Sequence, residues 1–74
     1  SFRSRDWIGQ VHMPVLIVHG DRDTVIPFAQ GERLYELANE PEQFVRMPGS
    51  DHATLVRDGI YPHIAAFLSR YPAE

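Results

Sequence analysis

The chain contains neither cysteine nor lysine, and its apolar runs, such as Val15 to Val18, are only a few residues long. Without cysteine there are no disulfide staples, no thiol nucleophile and no thiolate metal site. That absence suits a reducing compartment such as the cytoplasm, although it identifies none. With lysine missing, all seven cations are arginines: Arg3, Arg5, Arg22, Arg33, Arg46, Arg57 and Arg70. They are scattered along a chain of net charge −3, so no basic stripe marks a nucleic-acid footprint and no nucleic-acid partner is expected. A membrane-spanning helix needs about 20 apolar residues, so no membrane segment is expected either. The opening "SFRSRDW" has neither Met nor an apolar signal core, which implies a chain that begins inside a longer protein.

What is present suffices for one small domain. Seventy-four residues at 43% hydrophobic content argue for a folded segment with a thin stability margin. Trp7, Ile8 and Val11 suggest a short helix or turn leading into a strand at Val15 to His19. That strand is aliphatic without alternation, as in parallel sheets covered on both faces. Pro27 suits the first turn of a helix carrying Phe28, Gly31, Leu34, Leu37 and Ala38 on one side, closed by Asn39-Glu40-Pro41. Glu32, Glu36, Glu40 and Glu42 are expected to form a solvated acidic face. "EQFVRMP" reads as a second strand stopped by Pro48-Gly49. Ile60, Ile64, Phe67, Leu68 and Tyr71 then recur at helical spacing, with the helix expected to begin at Pro62 and Tyr61 just outside it. The expected fold class is therefore α/β, a β-α-β-α unit with two parallel strands and helices covering both faces of the sheet.

Parallel strands place the loops at 20–26 and 49–54 at the same carboxyl edge, where open α/β sheets bind ligands. Asp23 and His52, 29 positions apart, are thereby expected to converge. A carboxylate facing an imidazole fixes the ring's tautomer and stabilises the imidazolium formed during proton transfer. Asp21 and Asp51 read as turn formers, and Asp23 alone could do no more than cap the following helix. His19 reads as a packed residue bonded to neighbouring backbone, and His12 and His63 have no acid partner that the sequence indicates. His19, Asp21, Asp23 and His52 are types that ligate metals, but their spacing matches no zinc motif; neither metal nor cofactor is expected.

"HGDRDTVIP" followed by "MPGSDH" resembles the last part of an α/β-hydrolase-fold protein, as an HGxxDxxVP-type loop after the seventh strand and a PGxxH-type loop after the eighth. The likeness takes in nearly the whole chain. It is nearest to small serine hydrolases of the monoacylglycerol lipase, dienelactone hydrolase and peptidase-like esterase kind. The resemblance implies Asp23 as the triad acid, His52 as the general base and a small ester or amide as substrate, with no catalytic role for Asp21. The family's nucleophile is a serine in a G-x-S-x-G elbow, and none of Ser1, Ser4, Ser50 and Ser69 lies in one. Residues 1–74 are therefore expected to be a single carboxy-terminal subdomain, inactive alone, with the nucleophile-bearing part absent.

Two alternatives accompany that reading. The segment could be a non-enzymatic folding or interaction module that self-associates through the exposed edge of the Val15 to His19 strand. The D-x-D-x-V pattern also resembles the nucleophile loop of haloacid-dehalogenase-type phosphatases. There the first Asp follows the strand directly, whereas His19-Gly20 intervene here, and the lysine such enzymes need has no counterpart in this chain.

Overall fold

A computed structural model describes residues 4–73. Two short 3-10 turns, Ser4–Asp6 and Ile8–Gln10, lead into β1 (Val15–Gly20), followed by α1 (Phe28–Leu37), β2 (Glu42–Met47) and α2 (Ile60–Arg70). Among the described residues the sheet has two strands, β1 and β2, paired in parallel from Val15 opposite Glu42 to Gly20 opposite Met47. The β-α-β-α order and the parallel pairing are as the hydrophobic pattern implies.

The α1 helix packs across both strands. Phe28 meets the His19 ring edge-on at 5.6 Å and the Phe44 ring at 5.5 Å, and Tyr35 meets Phe44 at 5.7 Å. Each such edge-to-face pair contributes about 0.5–1.5 kcal/mol beyond the area it buries. Gly31 lies under His19, where a Cβ would come within 2.4 Å of Nδ1, so the close approach of helix to strand requires glycine there. Asn39 ties the start of the chain to the end of α1 by donating to the Gly9 and Val11 carbonyls at 2.7 and 3.0 Å.

The molecule is a slab of 32 × 29 × 14 Å, and so thin a body has a small interior. Among the described residues the buried hydrophobic side chains are Ile8, Ile17, Met47 and Phe67.

Three expectations are corrected. The second helix begins at Ile60, not Pro62, because Gly59 at φ 98° turns the chain into it; Pro62 then occupies the first turn, where its missing N–H is no loss. Leu68, placed on the apolar face by its spacing, is 58% exposed, because α2 rests mainly on β1 and buries only Phe67. Of the acidic residues expected to be solvated, Glu32, Glu36 and Glu40 are exposed, whereas Glu42 is half-buried, because it opens β2 with its Oε2 buried. Within the stretch read as a leading helix or turn, the first three residues lie outside the described ones.

Candidate active site

Both strands release their loops at the same end of the sheet. Gly20 closes β1 against Ser50, and a Cβ on Gly20 would lie 2.3 Å from the Ser50 carbonyl oxygen. Backbone bonds begin the union of the loops: Asp21 N–H donates to the Met47 carbonyl and Arg22 N–H to that of Ser50.

Reciprocal carboxylates continue it. Asp21 accepts from Gly49 N–H at 2.7 Å, where Gly49 takes φ 74°, and from Arg46 Nε at 3.1 Å. From the other loop, Asp51 accepts from Thr24 N–H at 3.0 Å and from the Thr24 hydroxyl at 3.1 Å. The same Asp51 oxygen accepts from His52 N–H at 2.6 Å, which orients the histidine backbone. Asp21 and Asp51 are turn residues, as their sequence positions imply, but each also binds the opposite loop.

Asp23 and His52 meet between these ties. Asp23 Oδ1 accepts from the N–H groups of Val25 and Ile26 at 2.8 and 2.7 Å, an Asx turn ahead of α1 rather than a cap on it. Its Oδ2 lies 3.1 Å from His52 Nδ1. The carboxylate is 4% exposed and the imidazole 50%, so the acid is sheltered while the base faces solvent. Burial raises the Asp23 pKa, but the Ile26 and Val25 N–H groups and then His52 outweigh it and hold the carboxyl below its ordinary value. The acid is ionised where an imidazole can use it.

His19 is buried and bonded to backbone, as expected: its Nε2 lies 2.7 Å from the Ile26 carbonyl oxygen. It also comes within 3.4 Å of Asp23 Oδ2, a proximity that strand patterning alone does not reveal. His12 and His63 are exposed. Among the described residues no group of three or more His, Asp or Glu is arranged to hold a metal ion. A groove of about 270 Å³ is lined by Leu16, Val18, Ile26 and Leu55 together with Asp23 and His52.

Sequence reasoning missed Ser50 and Asp58. Ser50 is fully buried and donates to Asp58 Oδ2 at 2.8 Å, closing the loop that carries His52. Arg57, then Ser50 and Thr54, hold the Asp58 pKa down at about 2. A depressed carboxylate stabilises the fold above its unfolded value and loses that contribution as pH falls through the folded one. The urea midpoint of the chain is therefore expected to fall between about pH 4 and pH 2, and Asp58→Asn to flatten that slope. An unchanged slope in the variant would dissociate Asp58 from acid stability. Asp21, Asp23 and Asp51 are also lowered and act in the same direction.

The chain is 43% identical over 65 residues to the uncharacterized protein YfhR of Salmonella typhimurium, a match covering 77% of this chain and 22% of that protein. It is 46% identical over 81 residues to lysophosphatidylserine lipase ABHD12 of Danio rerio, covering 96% and 21% respectively. Against the human alpha/beta hydrolase domain-containing protein 17B the identity is 34% over 61 residues, covering 82% and 21%. No family model matches the chain, and no solved structure matches it significantly. The chain thus spans about a fifth of the length of these relatives. Over that short segment it is a partial homologue of α/β-hydrolase proteins, and its origin is hydrolase-like.

Proposed function

We propose that this chain is the carboxy-terminal, acid-and-base part of a longer serine hydrolase that cleaves esters in first place and amides in second. The 3.1 Å approach of His52 Nδ1 to Asp23 Oδ2 carries the reading. With Nδ1 engaged by the acid, Nε2 is the nitrogen that takes the proton from a serine hydroxyl and later returns it to the leaving group. Asp23 fixes that tautomer and stabilises the imidazolium between the two transfers.

The serine comes from outside this chain. Ser50 is buried and committed to Asp58, and neither Ser4 nor Ser69 lies in a nucleophile elbow. The name of the ABHD12 relative, a lipase, favours an ester as substrate.

A fluorophosphonate probe, which reports activated serines, tests the division of labour. This chain is expected to stay unlabelled, while the longer hydrolase is labelled at a serine outside it. Labelling within these residues would mean that the nucleophile has been misassigned.

The edge of β1 supports a second, non-enzymatic reading. Val15 and Asp21 donate to carbonyls on the β2 side, at Pro41 and Met47, so the alternation of a parallel ladder turns the N–H and C=O groups of Leu16 and Val18 outward. That edge carries no proline or charge to blunt pairing between Val15 and Val18. Self-association through β1 is expected, with light scattering giving a mass above the 8.5 kDa of one chain. A monodisperse species at that mass would count against it.

A further inference from the structure

We infer that His19 is a positioning residue for Asp23, holding the carboxylate in the orientation that faces His52; the consequence for turnover rests on the functional reading above. Asp23 has one oxygen fully committed, since Oδ1 receives two backbone N–H groups. The other oxygen, Oδ2, is approached by two imidazoles, with His52 Nδ1 at 3.1 Å and His19 Nε2 at 3.4 Å.

Chemistry at the far side assigns the His19 tautomer. The Ile26 carbonyl can only accept, so at 2.7 Å the His19 Nε2 must carry the hydrogen. That N–H points at Ile26 and has Asp23 Oδ2 beside it. At 3.4 Å the second contact lies beyond a full hydrogen bond, and a donor dipole flanks the oxygen without competing with His52 for it.

The ring is held on its other sides. Phe28 meets it edge-on, and the Gly31 backbone leaves no room behind Nδ1, where a Cβ would come within 2.4 Å. His19 therefore does two things for the acid. By bonding the Ile26 carbonyl it closes the loop whose N–H groups grip Oδ1. By placing a donor next to Oδ2 it sets an electrostatic bias towards one carboxylate rotamer.

Nitrogen–proton correlation spectra of the histidine rings, recorded on the full chain, test this directly. The expected result is Nε2–H for His19 and Nδ1–H for His52. His19→Gln, whose amide nitrogen reaches about as far as Nε2, is expected to keep His52 as Nδ1–H. His19→Asn, one methylene shorter, is expected to give a mixture of His52 tautomers. In the longer hydrolase the Asn variant should lose about 10- to 100-fold in kcat at unchanged KM, with the Gln variant within about threefold of wild type.

Nδ1–H at His19 in the wild-type chain would overturn the inference, as would an unaltered His52 tautomer in His19→Asn or a Gln variant that fails to preserve it. Should the Asn chain not fold, the wild-type tautomer and the Gln variant decide. Failure of the functional reading looks different: the spectra come out as expected while Asp23→Asn leaves ester turnover intact.

Discussion

On the serine-hydrolase reading proposed above, replacing Asp23 by Asn in the longer protein is expected to lower kcat for ester hydrolysis by about four orders of magnitude with the fold intact. The surroundings of the side chain dictate the reason. Val25 and Ile26 each present an N–H to one side of the group, at 2.8 and 2.7 Å, so the amide oxygen of Asn must take that side. Its NH2 then points at His52 Nδ1, where the carboxylate oxygen sits at 3.1 Å in the native chain. A donor there forces His52 into the Nε2–H tautomer, which has no lone pair at Nε2 to receive a serine proton. Steady-state kinetics beside circular dichroism separates this from unfolding. A loss below tenfold would remove Asp23 from the mechanism.

Gly20→Ala is expected to unfold the chain or leave it marginal. The new Cβ would stand 2.3 Å from the Ser50 oxygen and 2.7 Å from its carbonyl carbon, and neither atom is a flexible side-chain end. Overpacking in a tight interior costs about 1–3 kcal/mol and more where backbone must move. A domain of this size has only some 4–11 kcal/mol in total. Gly9→Ala is the matched control, since its Cβ would meet nothing nearer than the Leu37 oxygen at 3.9 Å. Urea unfolding should show Gly20→Ala far below wild type and Gly9→Ala close to it. Equal midpoints for the two variants would contradict the contact.

The fold was legible because its signals are local. The unalternating aliphatics of β1, Pro27 ahead of α1 and the Pro48-Gly49 stop each act over a few residues, and the parallel pairing follows from their order. The convergence of Asp23 with His52 was legible from topology, because strand ends in a parallel pair share an edge. Other features required three dimensions. Leu68 obeys the helical period, yet the period says nothing of how much surface the partner offers, and a two-stranded sheet offers little. His19 appeared as a packed strand residue; its approach to Asp23 depends on the turn at Ile26 folding back over the strand end. Ser50 reads in sequence as an ordinary loop serine, and only the closing of its loop on Asp58 buries it.

The crossed grip of Asp21 on Gly49 and of Asp51 on Thr24 has a consequence for how such a site can travel. Both stitches run from the turn after β1 to the turn that follows β2, which Ser50 closes in turn on Asp58. A transplant onto another parallel sheet would thus have to run on past β2 to Asp58 to carry the Asp23–His52 pair already aligned at 3.1 Å.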